Sequence, residues 1–229
     1  MMKMGDSTMT AAPKLSEGIY DAPSAAKYLL AARMANEAYP VTSRHLIRWI
    51  RNGLALPQLA VVPGRELLIT FEDLISMRVI AALRSAGVSW PKIYRAEDWL
   101  RDQTHHPRPF ATEEVWTEHS EVFASFRDML IATSRYGQIA MDIMKDFLIP
   151  VSGLAFERRI ARRWEPRSLV LLDPSIQFGA PCIRGTRIPT RSIWGMIRAG
   201  DSEALAMRAY KITQEEVNAA VAWEDSLAA

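Results

Sequence analysis

Cysteine is almost missing from this chain. Cys182 is its one cysteine in 229 residues, so no internal disulfide can form, and a reducing, cytoplasmic compartment is expected. Histidine is scarce as well. His45, His105, His106 and His119 are the four, and with Cys182 they show no metal-ligand spacing, so no zinc or other metal site is expected. No apolar run approaches the ~20 residues that a membrane span needs. The opening Met1-Met2-Lys3-Met4-Gly5-Asp6-Ser7-Thr8 lacks the apolar stretch of a signal peptide, and residues 1–17 read as a disordered leader. Catalytic constellations are lacking too. Glu72-Asp73 falls in the first turn of a helix, Glu97-Asp98 on a face expected to be exposed, and Cys182 has no histidine near it in sequence. A lone Gly185-Thr186 is no phosphate-binding loop. No enzyme and no cofactor are expected, and Cys182 reads as a buried structural thiol.

What is present is an ordinary globular composition, 49% apolar and 24% charged, in a chain long enough for one large or two small domains. The net charge of +2 argues little by itself, but its distribution is uneven. Residues 1–110 carry 14 Lys+Arg against 10 Asp+Glu, residues 111–165 carry 7 against 9, and residues 166–229 carry 7 against 7. The excess of positive charge sits in the first half, where a phosphate-binding surface would use it.

Asp21 is placed to cap a helix over residues 22–30, with Pro23 tolerated in its first turn. Tyr39-Pro40 breaks the pattern, and Thr42 or Ser43 caps a second helix over residues 44–52 that stops at Gly53. Leu46, Ile47 and Ile50 lie on one face of that helix, while Arg44, Arg48 and Arg51 recur at i, i+4 and i+7 on another. No acid lies between Thr42 and Gln58 to neutralise them. The stripe is either a solvated basic face or a recognition helix lying along DNA. Residues 54–69 follow as a β-hairpin, or wing, with Gly64-Arg65 at its tip. Thr70 then caps a longer helix with Ile75, Val79, Ala82, Leu83 and Ala86 inward and Gly87 at its end. Ser89-Trp90-Pro91 begins the next, which carries Ile93, Tyr94, Ala96, Trp99 and Leu100.

This order of helix, basic helix, hairpin, helix, Gly-Val-Ser and helix resembles the winged helix–turn–helix of MerR-type regulators over residues 19–102. The resemblance implies DNA contacts from Thr42, Ser43, Arg44, His45, Arg48 and Arg51 of the recognition helix and from Arg65 of the wing. Residues 31–41 are longer than the usual turn, and a first helix lengthened by about two turns would absorb the difference.

His105-His106-Pro107-Arg108-Pro109 is polar and proline-rich and reads as a solvated boundary. The domain limits are therefore 18–106 for the DNA-binding unit, 107–165 for a connector with dimerisation as its candidate role, and 166–229 for the C-terminal domain. Within the connector, Val115-Trp116-Thr117 and Glu121-Val122-Phe123 read as short strands and residues 137–147 as a helix. Residues 154–164 have an ambiguous period and lean towards a strand.

Residues 169–190 are the most informative stretch. An apolar strand enters Asp173-Pro174, and Gly179, Pro181, Gly185 and Pro189 then punctuate a tightly turned loop that delivers Arg184, Thr186 and Arg187. Taken alone this is a surface loop. Asp173-Pro174, Gly179-x-Pro181, Ile183-x-Gly185-Thr186-Arg187-Ile188-Pro189 and Gly200-Asp201-Ser202, with Tyr210 and Thr213-x-Glu215, resemble the signature of the bacterial domain-of-unknown-function family numbered 433. Phe178 and Ala180 depart from it, standing where many members carry glycine and a basic residue. The family is similar to VapB-type antitoxins and is typically paired with a PIN-like ribonuclease toxin. Thr190 caps a helix burying Ile193, Trp194 and Ile197, a second helix runs over residues 202–210, and Thr213 caps a third. That third helix is acidic through Glu215, Glu216, Glu224 and Asp225 and is expected to face protein rather than phosphate.

The expected fold is mainly α with short β hairpins, a MerR-like winged helix–turn–helix followed by a C-terminal three-helix, helix–turn–helix-like bundle. The resemblances imply a type II antitoxin that neutralises a PIN-like ribonuclease, binds operator double-stranded DNA as a repressor of its own operon, and works as a homodimer or toxin–antitoxin hetero-oligomer. Arg184, Thr186, Arg187 and Arg191 are the candidate toxin contacts, with Arg184 and Arg187 able to pair with the carboxylates that hold the nuclease's metal. A stand-alone MerR-like regulator with a ligand-sensing C-terminal half is the alternative, and an interaction module without a DNA role is a third reading.

Overall fold

The computed structural model describes residues 18–33, 37, 39–53, 68–116, 121, 124–126, 128 and 153–228, which are mainly helical with a few short strands. β1 (Tyr20–Asp21) runs straight into α1 (Ala22–Ala31), where the Asp21 carboxylate accepts a 2.6 Å hydrogen bond from the Ser24 amide. It thereby satisfies one of the first-turn N–H groups that have no intrahelical partner. α2 (Ser43–Arg51) opens on Thr42, which is the cap rather than Ser43: its hydroxyl accepts from the His45 amide. β2 (Leu68–Ile69) pairs antiparallel with β1, setting Tyr20 opposite Ile69. α3 (Phe71–Ser85) begins in a reciprocal Thr70–Asp73 capping box, and α4 (Trp90–Thr104) follows. Residues from every turn of α3 are buried, including Ser76 and Arg78. It is the central helix of the N-terminal half.

Four expectations for this half are corrected. α1 stops at Ala31, so a lengthened first helix does not absorb the long connection to α2. The connection instead reaches towards α3. Glu37 pairs with the buried Arg78 guanidinium at 2.5 Å, and the Tyr39 amide donates to the Ser85 hydroxyl. A charge buried in α3 demands a counter-charge, and this loop supplies it. On α2 the inward face is Leu46, Trp49 and Ile50, with Ile47 only half-buried. Trp49 stacks on Tyr39 and meets Trp90 edge-on, 5.7 Å between ring centroids.

The third correction concerns residues 105–116. Arg108 is buried and pairs with the fully buried Asp73, while Pro109–Ala111 and Glu113–Val115 form 3₁₀ turns packed against the helices. The expected strand at Val115-Trp116 is therefore a tight turn, locked by a 2.9 Å bond from the Trp116 indole to the Phe110 carbonyl. Asp73 caps α3 and so cannot leave the core, and Arg108 neutralises it there. Glu97, expected on an exposed face, is 3% exposed and lies within 3.3 Å of Arg101. Burial above all raises its carboxyl to about 7. Arg101 and Arg108 pull it back, and Asp98 and Asp73 push the same way as burial.

Residues 154–164 hold a hairpin rather than a single strand. β3 (Leu154–Glu157) and β4 (Ile160–Arg167) pair antiparallel around Arg158 and Arg159, both at positive φ. β5 (Val170–Leu172) and β6 (Cys182–Ile183) complete an antiparallel sheet in the order β3-β4-β5-β6, continuous across residue 165. α5 (Thr190–Arg198), α6 (Glu203–Tyr210) and α7 (Gln214–Ala228) close the chain. Thr190 is the first residue of α5, not its cap. Its hydroxyl donates to the Glu224 carboxylate at 2.5 Å and lies 3.2 Å from the Pro181 carbonyl. Thr213 and Glu216 cap α7 reciprocally.

Ile183, Ile193, Ala206, Ile212, Val217 and Ala220 form a small core among the last three helices and β6. The larger core joins both ends of the chain: Tyr20, Leu29, Trp49 and Leu74 share it with Trp164, Leu172 and Trp223. The expected leader at 1–17, the wing over 54–67, Val122-Phe123 and the helix at 137–147 lie outside the described residues.

The Glu97 carboxyl yields a signed prediction. Its folded-state value is raised above the ordinary 4.5, so its contribution to stability is complete below that value and is lost as pH rises through about 7. Glu97→Gln keeps the shape without the charge. Urea unfolding is expected to show the variant more stable than the parent at pH 8, by on the order of 2 kcal/mol, with the gap closing towards pH 5. Equal stabilities at both pH values would contradict the assignment.

Candidate functional site

Two surfaces gather the candidate residues. The first is the outer face of α2. Arg44, Arg48 and Arg51 are exposed directly opposite Leu46, Trp49 and Ile50, and none of them forms an ion pair among the described residues. Arg48 and Arg51 lie in the last turn, where the helix dipole favours cations. Thr42 and Ser43 sit at the helix start, and Thr42 is occupied in capping. His45 stands apart from the stripe. Its ring Nδ1 lies 2.8 Å from the Pro40 carbonyl and its face is 5.5 Å from Tyr39, so it braces the approach to the helix. Arg65 lies outside the described residues.

The second surface is the signature loop. β5 leads into Asp173, whose carboxylate accepts from the Ser175 amide and hydroxyl at 2.8 and 2.6 Å and turns the chain. Gln177, Phe178 and Gly179 then occupy the left-handed region in succession, with φ of 48, 55 and 88°. At Gly179 the conformation and the space both demand glycine. The Tyr20 hydroxyl donates to its carbonyl at 3.1 Å, and a Cβ there would collide with that same hydroxyl. After β6, Thr186 donates to the Ile183 carbonyl and accepts from the Ile188 amide, which makes it a brace for the turn.

Arg184, Thr186 and Arg187 line an open cleft of about 570 Å³ over the sheet, together with Arg163, Glu165 and Asp173. Arg184 rests 3.2 Å from Glu165, whereas Arg187 has no ion pair among the described residues. Arg191 is not in this cleft. It projects from α5 on the side of Tyr28 and Glu224, so the four candidate contacts divide into two groups. Cys182 is buried beneath the loop, and burial pushes its thiol up to about 11, which keeps it protonated and inert.

Acids expected to make α7 a contact surface are partly used internally. Glu224 accepts from Thr190. Asp225 accepts from the Trp194 indole at 2.8 Å and from Arg198 at 2.6 Å, and those two bonds hold its carboxyl below the usual range. Reading residues in order along the chain missed Arg163 and Glu165, because only the hairpin brings them to the cleft, and Lys27, which the packing of α1 brings to Glu224. Phe178 was marked only by its departure from the family signature. Among the described residues, no group of three or more His, Cys, Asp or Glu side chains could hold a metal ion. Among the same residues, no helix is long and apolar enough to cross a membrane.

Comparisons with known proteins agree with the signature. Residues 170–223 match the family described as "Protein of unknown function (DUF433)". The relative named "Putative antitoxin VapB45", from Mycobacterium tuberculosis, is 22% identical over 187 residues, which cover 72% of this chain and 74% of that protein. The crystal structure of Rv2018 from Mycobacterium tuberculosis matches with a TM-score of 0.68 at 20% identity, over 88% of this chain and 96% of that one. At that identity the likeness is one of fold.

Gly179→Ala is expected to destabilise the chain by more than about 2 kcal/mol, since it combines a left-handed backbone with a collision. Tyr20→Phe, which removes only the hydroxyl, is expected to cost about 1 kcal/mol. Thermal unfolding that ranks the two in the opposite order would refute this account of the loop.

Proposed function

We propose that the chain is the antitoxin of a type II toxin–antitoxin system, which binds operator DNA through α2 and holds a PIN-like ribonuclease inactive through its signature loop. The observation that carries the reading is the unneutralised arginine stripe of α2. Three guanidinium groups on one stripe repel one another, and an anionic duplex relieves that repulsion while releasing its counterions. The likeness over most of the chain to a protein named as an antitoxin supports it.

In this reading residues 18–106 form a MerR-like winged helix–turn–helix that docks as part of a dimer, and residues 166–229 are the toxin-binding domain, with helices arranged as a helix–turn–helix-like bundle. Arg44, Arg48 and Arg51 neutralise phosphates or read guanine edges, with Thr42, Ser43 and the wing residue Arg65 at the flanking backbone. His45 acts by holding the helix entry rather than by touching DNA. Bound as a repressor, the chain regulates its own operon in the cytoplasm.

At the other surface Arg184 and Arg187 enter the carboxylate cluster of the nuclease in place of metal, because a planar guanidinium suits bidentate contact. The exposed bond from Arg184 to Glu165 is worth little and exchanges readily for another carboxylate. Thr186 keeps the turn that presents the two arginines, and Arg191 touches the partner from the other side of the loop.

Two measurements test the two halves. Binding of the upstream duplex, followed by fluorescence anisotropy over a salt series, is expected to weaken steeply with salt. Arg44→Ala, Arg48→Ala and Arg51→Ala should each lower the slope of log K against log salt by about 1. A wild-type affinity indifferent to salt would end the DNA reading. For the nuclease, the chain co-expressed with the protein of the neighbouring reading frame should suppress RNA cleavage, and Arg184→Ala/Arg187→Ala should restore it. Undiminished inhibition by the double variant would reject the arginine plug.

A further inference from the structure

Phe178 is 63% exposed, against 40% and 38% for Leu30 and Leu205, the other large apolar side chains left in solvent among the described residues. Its exposure is imposed by the backbone. Gln177 and Phe178 are both left-handed, a conformation that a bulky L-residue adopts only at a cost and glycine adopts freely. The turn is tied down on both sides. The Phe178 carbonyl accepts from the Ile19 amide, Gly179 is held by Tyr20, and the Gln177 side-chain amide donates to the Arg187 carbonyl at 3.3 Å. Beside the ring lies a small open pocket of about 150 Å³ floored by Tyr28, Ser24 and Ala180.

Three cations lie on this side of the chain: the Gln177 amide ties the turn to Arg187, and Arg191 and Lys27 both act on Glu224. Lys27 of α1, Arg187 of the loop and Arg191 of α5 are exposed, and none forms an ion pair among the described residues. The neighbouring acids are hydrogen-bonded within the chain: Asp21 caps α1, Asp173 holds Ser175, and Glu224 accepts from Thr190. An aromatic ring set in the open, on a turn tied to Arg187 and next to a shallow pocket, has the composition of an interface hot spot. Its unspent cations fit an acidic rim. Among the described residues no second exposed aromatic lies beside it, since Tyr28 packs on Tyr20 and Trp223, so they offer no successive platform of the kind that stacks single-stranded nucleic acid.

We propose that Phe178, with Lys27, Arg187 and Arg191 on the same side of the molecule, is the anchor by which this chain grips the acidic face of a folded protein partner. The proposal rests on the antitoxin reading and adds to it. The partner straddles α1 and the signature loop rather than touching the C-terminal domain alone, and a backbone strain that glycine would relieve is retained for binding.

The test is titration calorimetry of the full chain against the protein of the neighbouring reading frame, with melting temperatures and operator affinity measured beside it. Phe178→Gly is expected to lower affinity for that protein about tenfold or more, with an equal or higher melting temperature and unchanged operator binding. Phe178→Leu should stay within about threefold of the parent, and Lys27→Glu/Arg191→Glu should weaken binding at least as much as Phe178→Gly. The anchor is overturned if Phe178→Gly binds within about twofold of a parent that binds well, or if a labelled single-stranded RNA shows the loss instead of the protein. A parent that does not bind the neighbouring protein at all overturns the antitoxin reading and the anchor together.

Discussion

The packing of α1 against α7 is the constraint on which the rest of the molecule depends. Tyr28 of α1 lies 6.1 Å from Trp223 of α7, ring to ring, and meets Tyr20 edge-on at the same distance. At the far end of α1 the Arg167 guanidinium donates twice to the Ala31 carbonyl, at 3.0 and 2.8 Å, which satisfies an acceptor that the helix itself leaves open. At the near end Tyr20 holds Gly179. One helix is thus fastened at its start, middle and end to elements more than a hundred residues away in sequence. Its opposite side carries α2 and α3. The arginine helix and the signature loop are therefore mounted on the same support, and neither can tilt far without disturbing a common core.

Charge is divided by depth. Inside, Asp73 meets Arg108 and Arg78 meets Glu37, so that carboxylates and guanidinium groups withdrawn from water are matched. Glu97 has Arg101 at 3.3 Å, yet burial outweighs that partner and pushes it towards its neutral form. Outside, Arg44, Arg48 and Arg51 of α2, Arg187 of the signature loop and Arg191 of α5 stand without an ion pair among the described residues, while Arg184 keeps a weak contact with Glu165 and Arg198 pairs with Asp225. A structure that neutralises its buried ions so consistently leaves its free arginines for something else. That asymmetry is the physical basis for assigning them to external partners.

The signature loop concentrates conformational cost where contacts are expected. Gln177 and Phe178 are held left-handed by hydrogen bonds from three directions, and the adjoining glycine is pressed against a tyrosine hydroxyl. Strained backbone of this kind persists only where the surroundings over-determine it. Here β1, α1 and the turn after β6 provide those surroundings, which explains why a short loop can keep an aromatic ring in water.

Local signals were sufficient for much of this. The caps at Asp21, Thr70 and Thr213, the choice of Thr42 or Ser43 at the start of α2, the stop at Gly53 and the arginine stripe of α2 depend on neighbours within a turn or two, so amino-acid order alone determined them. The turn-rich stretch after Leu172 was legible for the same reason, and its family likeness followed from residue order. Other features were decided by tertiary structure alone. The seeming linker around Arg108 is core because Asp73, far back in the chain, needed a counter-ion. Glu97 is buried because α4 packs on the 3₁₀ turn at Pro109–Ala111, close to Arg108 and Asp73, and Trp49 displaces Ile47 from the core because Tyr39 and Trp90 converge on it. Arg191 parts from Arg184 and Arg187, and with Lys27 comes to Glu224, through the packing of α1 on the last helices. Hydrogen bonds at helix ends are short-range and are written in adjacent residues. Buried charge pairs and shared cores are long-range, and they exist only once the chain has closed on itself.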